Sequence, residues 1–313
     1  MVSLTITCPG KPTIHLDFPS KPPGAITVAD IKSAIQAKFP KFVPARQRLT
    51  APSPAGLKPV PLVDESKSLD DYGVGEGGQL KLKDLGRQVG YRVLYLWEYA
   101  GPVFLVPIWL RYSYLLWGKY EQSSLQIAVE RILVLHFLKR FLESAFLHSF
   151  SRATLPLAYV FRNSLYYWGV CGLLIPLTLF RPAYGNDGLV GKWALLNSPA
   201  WVGGWSIFIL ITELLNFNAH VHLRSLRQPP GKPRKYPTGF GFGHVVCANY
   251  FFETLGVCAL VIMTAGDFGT IVYLSIATFF MRLWSSQKYA RYKKEFNPKV
   301  FPGKRWKMFP LVY

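Results

Sequence analysis

Hydrophobic and polar positions divide the chain near residue 84. Before that point apolar residues come in short sets. After it come long apolar stretches with isolated polar residues inside them. Leu4 and Ile6, then Ile14, Leu16 and Phe18, alternate as two strands separated by Pro9-Gly10. Val28, Ile31, Ile35 and Phe39 recur at helical spacing behind Thr27, which predicts an N-cap. Pro40 and Pro44 end that helix. Gln47 to Thr50 reads as a short strand. Leu80 and Leu82 mark a last strand after the glycine-rich turn Gly73-Val74-Gly75-Glu76-Gly77-Gly78. Residues 1–84 are thus expected to form a small soluble α+β domain in the order β-β-α-β with a final β.

Residues 85–313 read as an all-α, multi-span membrane bundle. A spanning helix needs about 20 mostly apolar residues, and about six stretches approach that length. They run near Gly90–Trp117, Leu125–His148, Leu157–Phe180, Trp201–Ala219, Val245–Thr264 and Gly269–Trp284. The connections at 118–124, 181–200 and 265–268 carry few Lys or Arg. The opposite ends carry Arg152, Arg224, Arg227, Lys232, Arg234 and Lys235, then Lys288, Arg291, Lys293, Lys294, Lys304, Arg305 and Lys307. Positive charge marks the cytosolic side, so both termini are expected in the cytosol.

Composition changes this picture little. The 313 residues are 50% hydrophobic and 15% aromatic, with a net charge of +19. That charge alone would admit nucleic acid, but no nucleic-acid motif accompanies it, and the cations sit beside apolar segments. Anionic lipid or an anionic cofactor is the expected counterpart. The start, Met-Val-Ser-Leu-Thr-Ile-Thr, lacks the basic and apolar regions of a secretory signal. Cys8, Cys171, Cys247 and Cys258 have neither metal nor disulfide spacing and read as free thiols. No metal is expected.

Ionisable groups inside spans are costly and face a cavity or a partner. In the second segment His136, Lys139, Arg140 and Glu143 share a helix face; an interfacial helix end with a Glu–Arg pair is the plainer alternative. In the fourth, Glu213, Asn216, His220, Arg224 and Arg227 form a stripe. Such a stripe suits a nucleotide, since Arg binds phosphate through forked donors. It also suits polar contact between helices. In the fifth, Asn249, Glu253 and Gly256 share a face beside Tyr250, which could equally be an interface aromatic. Glu98 in the first segment demands a partner or a wet cavity, and Gln88 stands just before that span. Gly239-Phe240-Gly241-Phe242-Gly243 is not a dinucleotide fingerprint. His220 and His222 diverge on a helix.

Several motifs carry a resemblance. Thr27-Val28-Ala29-Asp30-Ile31-Lys32, Arg46-Gln47-Arg48-Leu49 and Ser68-Leu69-Asp70-Asp71-Tyr72 resemble ubiquitin, without an exposed Gly-Gly tail. Nearly the whole chain resembles the very-long-chain trans-2-enoyl-CoA reductases of the endoplasmic reticulum, within the steroid 5α-reductase family. The matches include Lys83-Asp84-Leu85-Gly86 followed by Gln88, and Glu98-Tyr99-Ala100-Gly101-Pro102. They continue through Lys139-Arg140 with Glu143, Asn163 with Tyr166-Tyr167-Trp168-Gly169, and Asn216 with His220. Asn249-Tyr250 with Glu253, and Tyr292 with Lys294-Glu295-Phe296, complete them.

The resemblance implies that NADPH reduces a trans-2-enoyl-CoA in the last step of each fatty-acid elongation cycle, beside other elongation enzymes. It implies catalytic roles for Tyr250, Gln88 and Glu98. A phenol is protonated at neutral pH, so Tyr250 is the expected proton donor. It implies NADPH binding by Asn163, Asn216, Arg224, Asn249, Tyr292 and Arg305. The tyrosine that partners the glutamate in steroid relatives falls at Phe137. The fifth-segment motif reads Cys-Ala-Asn-Tyr where relatives have Cys-Pro-Asn-Tyr, and Arg291 stands where a His-Arg pair is usual. A steroid or polyprenol reductase, a non-catalytic membrane scaffold and a transporter are the alternatives.

Overall fold

The computed structural model describes residues 2–53, 59–150, 153–188, 192–193, 195–228, 235–297, 299, 301 and 305–313. Arg152, Lys232, Arg234 and Lys304 of the basic side lie outside the described residues. Two compact units emerge: Met1–Tyr91 with Arg152–Tyr159, and Arg92–Ser151 with Val160–Tyr313.

The first unit is built on a mixed five-stranded sheet. Its strands are β1 (Val2–Thr7), β2 (Ile14–Phe18), β3 (Gln47–Ala51), β4 (Val60–Pro61) and β5 (Gly78–Asp84), in the order β2-β1-β5-β3-β4. β1 runs parallel to β5, and the other pairs are antiparallel. Alternation buries Leu4, Ile6, Leu16, Leu49, Leu80 and Leu82 in one core, as period-two patterning requires. α1 (Val28–Lys38) starts where Thr27 predicts. The Thr27 hydroxyl accepts from the Asp30 amide at 3.1 Å, and the Asp30 carboxylate accepts from the Thr27 amide at 2.9 Å, a reciprocal cap. Val28, Ile31 and Ile35 are buried, but Phe39 is not. The helix stops one residue short of it, because Pro40 disfavours helical geometry in the residue before it, and Phe39 is 46% exposed. A two-stranded ribbon of β6 (Gln88–Gly90) and β7 (Thr154–Pro156) completes the unit. Sequence patterning gives no sign of it.

The second unit is helical. Its elements are α2 (Tyr91–Tyr112), the short α3 (Tyr114–Trp117), α4 (Ser124–Leu142), α5 (Ala158–Ser164) and α6 (Ile175–Leu179). α7 (Pro199–Ser225), α8 (Ala248–Met263) and α9 (Phe268–Glu295) follow. Helical runs therefore occupy all six expected segments. Three of them, α2, α7 and α9, are long and apolar enough to cross a membrane. α4 carries Glu130, Arg131, Lys139 and Arg140 within its 19 residues. Between α5 and α6 the helix widens into a π-helix over Leu165–Leu174. α8 has 16 residues.

The outward faces are apolar. Phe104 and Ile108 of α2, Ile207, Leu210 and Leu214 of α7, and Phe279 of α9 are each at least half exposed. Exposed apolar faces of this extent mark a chain surrounded by lipid. Inside, Val106, Val129, Leu133, Phe137, Ile175, Leu260 and Tyr273 form the bundle core. Two glycines permit close approach. A Cβ at Gly256 would lie 2.8 Å from the Thr212 hydroxyl, and one at Gly101 would lie 2.5 Å from the Trp168 ring.

Candidate active site

The polar faces of α4, α7 and α8 meet inside the bundle. Glu213 accepts from Lys139 at 2.7 Å and lies 2.7 Å from His136 Nδ1. Lys139 also donates to Asn216 Oδ1 at 2.6 Å. The Asn216 amide donates to the Asn249 carbonyl at 2.8 Å and lies 3.4 Å from the Glu253 carboxylate. Tyr273 of α9 places its hydroxyl 3.4 Å from His136 Nε2. A second group sits one turn along. Arg140 donates to Glu143 at 2.8 Å and to the Tyr99 hydroxyl at 3.1 Å, and Glu143 Oε2 lies 3.0 Å from His220 Nδ1.

Charges this far from water persist only when paired and hydrogen-bonded. Here Glu213 and Glu143 each have at least one cation, which accounts for the three- and four-residue spacing of the stripes on α4 and α7. The Arg140 guanidinium is held by Tyr99 and by Glu143, the Glu–Arg pair at the end of α4. Glu143, His148 and His220 offer ligand atoms within 4.8 Å of one another. Arg140 Nη1 lies 3.2 Å from His220 Nδ1 and 2.8 Å from Glu143. Arg140 therefore shares the Glu143 and His220 atoms of that group.

Glu98 is fully buried. Its Oε1 accepts from the Asn163 amide at 2.6 Å, and its Oε2 has no partner. Asn249 Oδ1 is also buried without a partner. Buried polar atoms are almost always satisfied, and Glu143 Oε1 in the Arg140 group is a third without a hydrogen-bond partner.

A profile of the 3-oxo-5-alpha-steroid 4-dehydrogenase family matches residues 153–313. The chain is 30% identical over 289 residues to the very-long-chain enoyl-CoA reductase of Dictyostelium discoideum, covering 91% of this chain and 92% of that one. It is 35% identical over 245 residues to a Schizosaccharomyces pombe protein described as an enoyl reductase, covering 78% and 79%. A Caenorhabditis elegans protein described as a very-long-chain enoyl-CoA reductase is 28% identical over 308 residues, covering 92% of each. The chain belongs to the enoyl-CoA reductase branch of the steroid 5α-reductase family.

The structure of this reductase pairs several of the residues singled out above. Asn216 meets Asn249, and Glu98 meets Asn163, which names the partner that Glu98 demands. Tyr250 opens α8 beside Asn249, with the Lys288 ammonium 4.6 Å from its ring centroid. Arg305 donates to the Tyr236 hydroxyl and, at 2.6 Å, to the Phe242 carbonyl. Tyr292 packs edge-on against Tyr236 with centroids 5.7 Å apart. Arg224 is exposed at the end of α7. Gln88 belongs to the first unit, where its amide turns back to the Leu85 carbonyl at 2.8 Å.

Four participants escape sequence reasoning. Tyr99 and Tyr273 are each one tyrosine among several in their helices. His148 comes within 5.1 Å of the His220 ring only through the tertiary fold. Lys288 reads as one of many cations in a basic tail. The four-residue spacing of Lys288 and Tyr292 is the one signal that hints at a shared face, and Arg291 beside them is exposed.

Proposed function

We propose that this chain reduces the double bond of a trans-2-enoyl-CoA with NADPH, closing each round of very-long-chain fatty-acid elongation at the endoplasmic reticulum. Its family and relatives make it an oxidoreductase acting on a carbon–carbon double bond. The observation that carries the finer reading is a set of buried polar atoms without hydrogen-bond partners, Glu98 Oε2 and Asn249 Oδ1, with Glu143 Oε1 in the same bundle.

NADPH fits the donor set. Asn249 has an open acceptor for an amide, Asn216 fixes its backbone, and Arg224 is free of the bundle interior for a phosphate. Arg305 and Tyr292 add a cation and a ring, and Asn163 adds an amide group already engaged by Glu98. When bound, NADPH supplies a hydride to the β carbon of the enoyl thioester. The π electrons then move toward the thioester oxygen, and an enolate forms that needs a donor. Glu98, held by Asn163, orients that end of the substrate, and in its protonated form it can donate to the oxygen. Gln88 is the second orienting group of this reading.

The α carbon then takes a proton from Tyr250. A phenol with an ordinary pKa near 10 is protonated at neutral pH and can act as an acid. Lys288, 4.6 Å above the ring, stabilises the phenolate left behind. Phe137 is fully buried between Tyr99, Tyr167 and Tyr273 and has no hydroxyl. That difference favours the acyl-CoA substrate over a steroid.

The same proposal extends to organisation. Residues 1–84 form a cytosolic ubiquitin-like domain, a reading supported by the sheet order and by α1. Residues 85–313 cross the membrane six times, with both termini cytosolic, as the Lys and Arg asymmetry supports. The substrate is acyl-CoA, and other elongation enzymes are the expected neighbours. Detergent-purified protein should oxidise NADPH on addition of a long trans-2-enoyl-CoA and not of a 3-oxo-4-ene steroid. NADPH oxidation with the steroid alone would reverse the assignment. Failure to bind NADPH at all would leave a scaffold.

A further inference from the structure

The first unit carries a recess outside the catalytic bundle. A cavity of about 450 Å³ has Ile14, Phe42 and Leu82 as its apolar floor. Lys11, Lys38, Lys41 and Arg46 surround it, and Phe39 stands at its edge, 46% exposed. A second cavity of about 760 Å³ adjoins it through Cys8, Lys11 and Leu82, and adds Arg48, Lys81 and Lys83. Across both, seven cations face a single carboxylate, Asp84.

That carboxylate is already used. Arg46 grips Asp84 through two nitrogens at 3.1 and 2.7 Å, and Lys11 adds a contact at 3.2 Å. Its pKa is drawn down to about 2, chiefly by the Arg46 hydrogen bonds. The other acids of this unit, including Asp64, Glu65, Asp70, Asp71 and Glu76, lie outside both cavities. Charge is therefore segregated, and the recess keeps a strong positive field.

We infer that this recess docks an acidic segment of a partner protein, with an apolar side chain in the floor and flanking carboxylates on the lysines. Charge complementarity sets the sign of the partner. The concave shape selects a peptide over a lipid surface. A bilayer engages protruding apolar residues, whereas Ile14, Phe42 and Leu82 are sunk below the rim and buried. The cavity volume suits two or three side chains of an inserted segment.

The test uses the full chain in detergent and a fluorescein-labelled peptide of two leucines flanked on each side by glutamates. Anisotropy should report saturable binding that weakens as salt rises. Lys38→Glu with Lys41→Glu should weaken it about tenfold, and Phe39→Ser should weaken it with no change of charge. These residues are exposed and none of them is among the proposed catalytic or cofactor-binding groups, so enoyl-CoA turnover should stay at the parent level in both variants, which controls for folding. Absence of peptide binding, or binding indifferent to both variants, would overturn the inference. Displacement of the peptide by water-soluble short-chain phosphatidylserine would overturn it too, and assign the recess to lipid.

Discussion

Asn163 donates to Glu98 at 2.6 Å across 65 residues of chain, and leaves the second carboxylate oxygen buried without a partner. The pairing fixes the carboxyl plane and aims one oxygen at the interior. Replacing Glu98 by Gln keeps an acceptor for Asn163 but changes the aimed group. Turnover with enoyl-CoA should fall about 10- to 100-fold at unchanged protein yield. Asn163→Ala should act in the same direction, and the double variant should cost less than the sum, because both changes remove one contact. Steady-state kinetics of the three variants measure this.

Tyr250→Phe removes the proposed donor and retains the ring beneath Lys288. The kcat should drop about 10²- to 10⁴-fold while NADPH affinity holds. Full turnover by purified Tyr250→Phe would remove Tyr250 from the mechanism.

Lys139 has two anionic or polar acceptors, Glu213 at 2.7 Å and Asn216 at 2.6 Å. Lys139→Met leaves Glu213 dependent on His136 alone. Loss of one partner of a buried pair costs about 3–5 kcal/mol. The thermal midpoint in detergent should fall accordingly, and an unchanged midpoint would show that water reaches Glu213.

Gly101 admits the Trp168 ring, which stacks on Trp97 with centroids 4.6 Å apart. Gly101→Ala should overpack this contact by about 1–3 kcal/mol. Thermal unfolding should register the loss, and Trp168→Ala in the same chain should relieve the clash.

Asp84 ties Arg46 and Lys11 in the first unit. Its pKa falls from 3.8 to about 2 on folding. A depressed carboxylate stabilises the fold above its unfolded pKa and loses that contribution as pH falls toward the folded value. Asp84→Asn should therefore weaken β3 and β5 at pH 5 and differ little from the parent near pH 2. Hydrogen-exchange protection of those strands, corrected for intrinsic rates, measures the difference.

Some of this architecture is legible in sequence because the signals are local. The Thr27 cap needs only Asp30 three residues on. The stripes of α4, α7 and α8 need only helical spacing and the cost of burying charge. Those rules place Lys139, Glu213, Asn216 and Asn249 inward, but not against one another. Glu98 shows the limit, since no periodicity reaches from α2 to Asn163. Phe39 follows the helical period and still lies outside, because Pro40 ends α1 first. The π-helix at Leu165–Leu174 leaves no mark on an apolar run, and Lys288 is one cation among many until the fold sets it over Tyr250.

The central claim is hydride delivery to the β carbon of an enoyl thioester. Mass spectrometry of the product formed from a long trans-2-enoyl-CoA and NADPH carrying deuterium at both nicotinamide C4 positions tests it most directly. The account predicts a saturated acyl-CoA carrying one deuterium, on the β carbon, with the α-carbon proton drawn from solvent. Deuterium on the α carbon, or a saturated product without deuterium, would contradict it.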